Sequence, residues 1–268
     1  MRTLTTTLLL FALLPANAQI ILSDNQIREK TDSILNEANL LYKYEKAAWV
    51  STDIAFENET TKHDIRGYLV YQQGDTINSI ILNQSFQCIL ETAFINGLSN
   101  PVKENFNKRT LYEYEIHLLL IRDSIIKDID NKKLDITCPD DFNLNFVMIP
   151  TKSGYKLYIL TGTSQSGIIP FGNDYLVISD GKGEILSWKK FHSRLIATPI
   201  KAPNGEEAIE YVHSHLKTEP FISATDICTF KLYAPLYYKL AFTVYSPALS
   251  KSFRYLLLED KIEIHDGL

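Results

Sequence analysis

The chain has 268 residues, 45% of them hydrophobic and 22% charged, an ordinary globular composition that excludes disorder over most of its length. Its 27 Lys and Arg residues are scattered among 32 Asp and Glu residues, for a net charge of -5. That leaves no basic footprint for nucleic acid.

Residues 1–18 read as a signal peptide. Arg2 gives the positive start, Leu8 to Leu14 the apolar stretch, and Ala16-Asn17-Ala18 the cleavage sequence, so a mature chain from Gln19 is expected. The apolar stretch is far shorter than the roughly 20 residues of a spanning helix, and no later segment is long enough. Gln19 stands where a lipid anchor would need cysteine. A periplasmic or secreted protein without a membrane span is expected. Cys88, Cys138 and Cys228 follow export, and one disulfide in any of three pairings is compatible with an oxidising compartment. Buried, unbridged thiols are the favoured arrangement, and no C-x-x-C spacing occurs.

Ser23 and Gln26 have capping-box spacing, and Ile27, Ile34, Leu35, Ala38, Leu41 and Tyr42 recur at helical intervals, which predicts a helix over about 24–46. Gly67 to Tyr71 and Thr76 to Leu82, around Gln72-Gln73-Gly74-Asp75, predict a hairpin. A second helix is expected over about 107–130, from Leu111, Tyr114, Leu118, Ile121, Ile125 and Ile129. Residues 19–135 thus form an N-terminal α+β segment. Its lone His63 and His117 carry no visible chemistry.

Asn131 to Asp141 breaks both periodicities and is the expected boundary to a strand-rich domain over 136–268. Strands are predicted over 142–149, 155–161, 174–179 and 184–196, with a hairpin turn at Asp180-Gly181-Lys182-Gly183, giving a mixed or antiparallel sheet. Gly162, Gly167 and Gly172 match neither a phosphate loop nor a nucleophile elbow and read as turn glycines.

Chemistry concentrates in His213 to Asp226. A strand over 208–216 turns His213 and His215 to one face, about 6.6 Å apart. Pro220 ends a loop, and Ser223 to Asp226 opens a helix whose first-turn carboxylate can point back at the rings. Two His and one Asp suit zinc and leave a fourth place for water. Ser223 and Asp226 are equally explained as a capping box.

His213-x-His215, seven residues, Ser223, two residues and Asp226 match the H-x-H-x(7)-S-x(2)-D signature of the JAB1/MPN (JAMM) zinc metallopeptidase family. The resemblance covers about residues 206–259, including a helix to about Leu236 and strands near 240–245 and 253–259. It implies a JAB/MPN-like C-terminal strand-helix-strand region. It also implies that His213, His215 and Asp226 ligate zinc, that Ser223 stabilises a tetrahedral oxyanion, and that an amide or isopeptide bond is hydrolysed by water the zinc activates. Leu216 stands where the family usually has proline.

The family's general base is a glutamate on an upstream strand. Glu184 is the nearest such residue, and Glu207 would share the face of His213 while Glu210 would face away. His192 shares strand parity with Glu184 and is open to two readings: a ligand or supporting residue at the site, or a surface histidine beside Lys189, Lys190 and Arg194. The expected function is an exported zinc-dependent hydrolase acting on a peptide or protein, of low or no activity if the base is missing. The alternative is a non-catalytic secreted binding or interaction protein on the same scaffold.

Overall fold

The computed structural model describes residues 22–95, 98–201, 204–208 and 210–268. The signal-peptide reading of 1–18 lies outside the described residues. The chain is α+β, with an N-terminal helix followed by several mainly antiparallel sheets.

Helix α1 (Asp24–Glu57) opens on the Ser23–Gln26 capping box and runs well past the expected end at 46. Its buried stripe continues as Ala48, Ser51 and Ala55, residues too small or polar to register as an apolar repeat. Small side chains let the helix approach the first sheet, where Ser51 Oγ lies 2.6 Å from Thr92 Oγ1. That sheet has the order β1 (Ile65–Gln73), β2 (Thr76–Asn83), β3 (Cys88–Phe94) and β4 (Lys103–Asn105). The expected hairpin is β1–β2, while β3 and β4 were not anticipated. Helix α2 (Glu113–Asn131) starts later than expected, because Glu115 turns back to cap its N-terminus and pairs with Arg109.

The second sheet runs β5 (Asn143–Pro150), β6 (Gly154–Gly162), β8 (Tyr175–Asp180) and β9 (Ile185–Lys190), all antiparallel, with α2 packed on it. The single strand expected over 184–196 is two elements. Chain direction changes at Phe191 to Arg194, and β10 (Leu195–Pro199) leaves the sheet to pair with β7 (Ile168–Gly172). Gly172 is required there: its φ is +75°, and a Cβ would come within 2.4 Å of the Arg194 carbonyl oxygen. Asn173 then donates its N–H to that same oxygen, which ties the crossing of the two elements together just before Asp174.

The third sheet is β11 (Tyr211–Ser214), β12 (Ala241–Ser246), β13 (Lys251–Leu256) and β14 (Lys261–Asp266). β11 lies parallel to β12, a pairing that needs a crossover, and α3 (Ala224–Tyr233) provides it. Nine of the ten α3 residues are buried. A helix buried all round belongs at the centre, and α3 lies among α1, β7 and the aromatic face of the third sheet. The largest buried cluster joins Ile34, Ala38 and Leu41 of α1 to Phe230 and Phe242, so residues on both sides of the expected boundary share one core. All three cysteines are free, with Cys88 and Cys228 buried and Cys138 exposed. No described helix is long and apolar enough to cross a membrane.

Candidate metal centre

Three elements meet where β11 ends, α3 begins and the β9–β10 connection crosses. β11 places His213 and His215 on one face, as the alternation of a strand requires. The turn after β9 carries His192 to the same point, and the first turn of α3 supplies Asp226. His192, His213, His215 and Asp226 offer ligand atoms that all lie within 4.8 Å of one another, and the four can hold a metal ion.

Asp226 divides its work between its two oxygens. Oδ2 accepts the Ser223 N–H at 3.0 Å and the Ser223 hydroxyl at 2.7 Å, completing the capping box. Oδ1 is buried without a hydrogen bond, 3.2 Å from His192 Nε2 and 3.3 Å from His213 Nε2, and the latter nitrogen is unsatisfied as well. His215 Nε2 lies 3.0 Å from Oδ2. Unpaired buried polar atoms cost about 1–3 kcal/mol each, so two of them aimed at each other call for a shared partner. The His192 and His215 Nε2 atoms also approach to 2.8 Å, which works only if one ring donates or a cation lies among them. Four ligands at about 2.0–2.1 Å from a tetrahedral zinc are about 3.3 Å apart, close to the Asp226 separations.

Charge is arranged to the same end. Burial works against the charged form of His192, but the Asp174 and Asp226 carboxylates outweigh it and hold this ring well above the ordinary histidine range. Burial pushes His213 below its usual value against the pull of Asp226. Burial would raise Asp226, yet His192, His215 and His213 hold it well below the usual carboxylate range. Asp174 is itself buried at the head of β8. Its Oδ1 lies 2.7 Å from His192 Nδ1, and its Oδ2 accepts the Thr225 hydroxyl. A carboxylate behind a ligating or proton-carrying imidazole fixes the ring's orientation and tautomer. Nothing in the local spacing around Asp174 marks it in the sequence; only the topology brings β8 beside α3.

His192, His213 and His215 open onto a cavity of about 340 Å³, whose other lining residues are Ser193, Arg194, Ile196, Ser214 and Leu216. The ring of Phe171 is centred 5.2 Å from that of His213. His213, His215 and Asp226 are therefore brought together. His192 joins them and is buried rather than on the surface.

Ser223 and Glu184 are placed differently. The Ser223 hydroxyl is buried between Thr225 Oγ1 and Asp226, accepts the Asp226 N–H, and its residue lines a separate cavity with Ala224 and Lys156. It does not line the histidine cavity. Glu184 is exposed in the β8–β9 turn, where its N–H donates to Asp180 Oδ1. The six residues of β9 separate it from the His192 turn, roughly 20 Å of extended chain. The turn itself is tied to α2, where the Ile185 N–H donates to Asp128 Oδ2. Glu207 is bound to Lys239 at 3.1 Å, and Glu210 to Thr243 and Arg254. Among the described residues no glutamate lines the histidine cavity. Compared with protein-family models, with curated proteins and with solved structures, the chain finds no match.

Proposed function

We propose that this chain is an exported metal-dependent hydrolase of peptide-type amide bonds, similar to the JAMM metallopeptidases over residues 206–259, with zinc held by His213, His215 and Asp226. One observation carries the reading: buried imidazoles meet the free oxygen of a single carboxylate at the wall of a solvent-open cavity. Zinc in such a place polarises a carbonyl and brings the pKa of a coordinated water towards neutrality.

The chain's own groups do the rest. Asp226 is held by Ser223 so that Oδ1 stays free, and Phe171 and Phe242 fix the plane of His213. With no glutamate at the cavity, His192 takes the place of the missing acid–base group. Asp174 orients its ring through Nδ1, and Nε2 faces the site from the cavity wall, placed to hand a proton to the leaving amine.

A second reading rests on the 2.8 Å and 3.2 Å approaches of His192 Nε2 to His215 and Asp226. With His192 as fourth ligand the ion is enclosed by protein, as in structural zinc sites, and the chain is a non-catalytic binding protein. Asp174→Asn separates the two. Under the hydrolase reading it slows chelator-sensitive cleavage of a peptide library by about 10²-fold or more with zinc content unchanged. Under the binding reading it weakens zinc affinity about 10–100-fold, and no cleavage is found in either protein. Absence of zinc-dependent cleavage by the wild-type chain contradicts the hydrolase.

A further inference from the structure

The cavity beside the histidines carries one permanent charge of its own. Arg194 lies on the rim, at the end of the turn that presents His192, and is exposed. Among the described residues it pairs with no carboxylate, unlike Arg109, which is bound to Glu115, and Arg254, bound to Glu210. The backbone of Arg194 is fixed by the Asn173 N–H, so the side chain departs from a rigid point. Its remaining neighbours in the cavity are the exposed hydroxyl residues Ser193 and Ser214 and the apolar Ile196 and Leu216. A cavity of 340 Å³ is at the small end of ligand pockets, which span about 300–1,000 Å³. It suits a residue or two of chain rather than a folded domain.

We propose that Arg194 is a specificity residue that binds the C-terminal carboxylate of a peptide, so that the substrates are free peptide C-termini and the bond cut is the one next to the end. This rests on the hydrolase reading for the cleavage step, and on the cavity alone for the binding step. A guanidinium presents two parallel donors that match a carboxylate, and a free peptide C-terminus carries that group whatever its sequence. Ile196 and Leu216 leave room for an apolar terminal side chain. In the reaction water adds to the penultimate carbonyl carbon and the C–N bond breaks. The amine takes a proton, and the products are a shortened peptide with a new carboxylate and one free amino acid.

The test uses acetyl-Ala-Ala-Ala and its C-terminal amide as probes, bound to chelator-treated full-length mature protein and followed by calorimetry. Binding without metal separates Arg194 from any contact of the carboxylate with an ion. The free acid is expected to bind about 10-fold tighter than the amide, with the difference falling to within about 2-fold in Arg194→Gln and partly retained in Arg194→Lys. Arg194 is exposed, so these variants fold. Equal binding of acid and amide by the wild type, no binding of either, or discrimination that survives in Arg194→Gln overturns the assignment. Hydrolysis of both probes is followed separately in zinc-loaded protein. Discrimination without cleavage removes the hydrolase and leaves the carboxylate site; cleavage without discrimination does the reverse.

Discussion

Alanine at both His213 and His215 is expected to leave a folded protein whose zinc affinity has dropped by more than two orders of magnitude. The change removes the imidazole facing Asp226 Oδ1 and the one facing Oδ2, and leaves the carboxylate with His192 alone. Even the loss of a group behind a ligand costs about 10–100-fold in affinity, so the loss of two ligands exceeds that. Folding survives because both rings border the cavity, where water takes the vacated space, while β11 keeps its parallel pairing to β12. Zinc per chain after dialysis, measured by emission spectroscopy beside circular dichroism, checks this. Equal zinc in variant and wild type removes the ligand assignment.

The second large effect lies away from the site, at Glu45 in the middle of α1. Its side chain is fully buried, with Oε1 accepting from Trp49 Nε1 at 3.0 Å and from Asn145 Nδ2 at 2.7 Å, and Oε2 accepting nothing. Burial pushes its pKa up from 4.5 to about 7, and the two donated hydrogen bonds only moderate the rise. Between pH 4.5 and 7 the folded chain therefore keeps a proton that the unfolded chain has released, and stability falls as pH rises through that window. At about 1.4 kcal/mol per pH unit the full loss is roughly 3 to 4 kcal/mol. Glu45→Gln retains the Oε1 acceptor and removes the titration. Its unfolding free energy in urea is expected to gain on the wild type by that amount between pH 4.5 and pH 8. Parallel pH profiles for the two proteins contradict the assignment.

Much of the C-terminal site was legible because local rules govern it. Strand alternation alone puts His213 and His215 on one face, and capping-box spacing alone puts Asp226 in the first turn of α3. The rest depended on topology. His192 lay within a stretch that reads as one strand over 184–196, and only the switch of β10 from the second sheet to β7 turns it inward. Asp174 has no motif around it, since its partners are 18 and 51 residues away. Glu184 misled for the opposite reason: parity along a strand says which side a residue faces, and nothing about which end of the strand the site occupies. In the fold, α1 was read short because Ala48, Ser51 and Ala55 bury a stripe with little apolar bulk. β3 and β4 were missed among segments whose pairing is set by neighbours distant in sequence.

The functional reading depends on His213, His215 and Asp226, from two separate stretches of chain, sharing one ion beside His192. X-ray absorption at the zinc edge of the reconstituted protein tests this most directly. The expected spectrum has one zinc per chain with imidazole and carboxylate donors at about 2.0–2.2 Å, and it loses its imidazole scattering in the His213→Ala, His215→Ala variant. A fully hydrated ion, sulfur scattering from Cys88, Cys138 or Cys228, or a spectrum unchanged by the two substitutions would show that the centre does not exist.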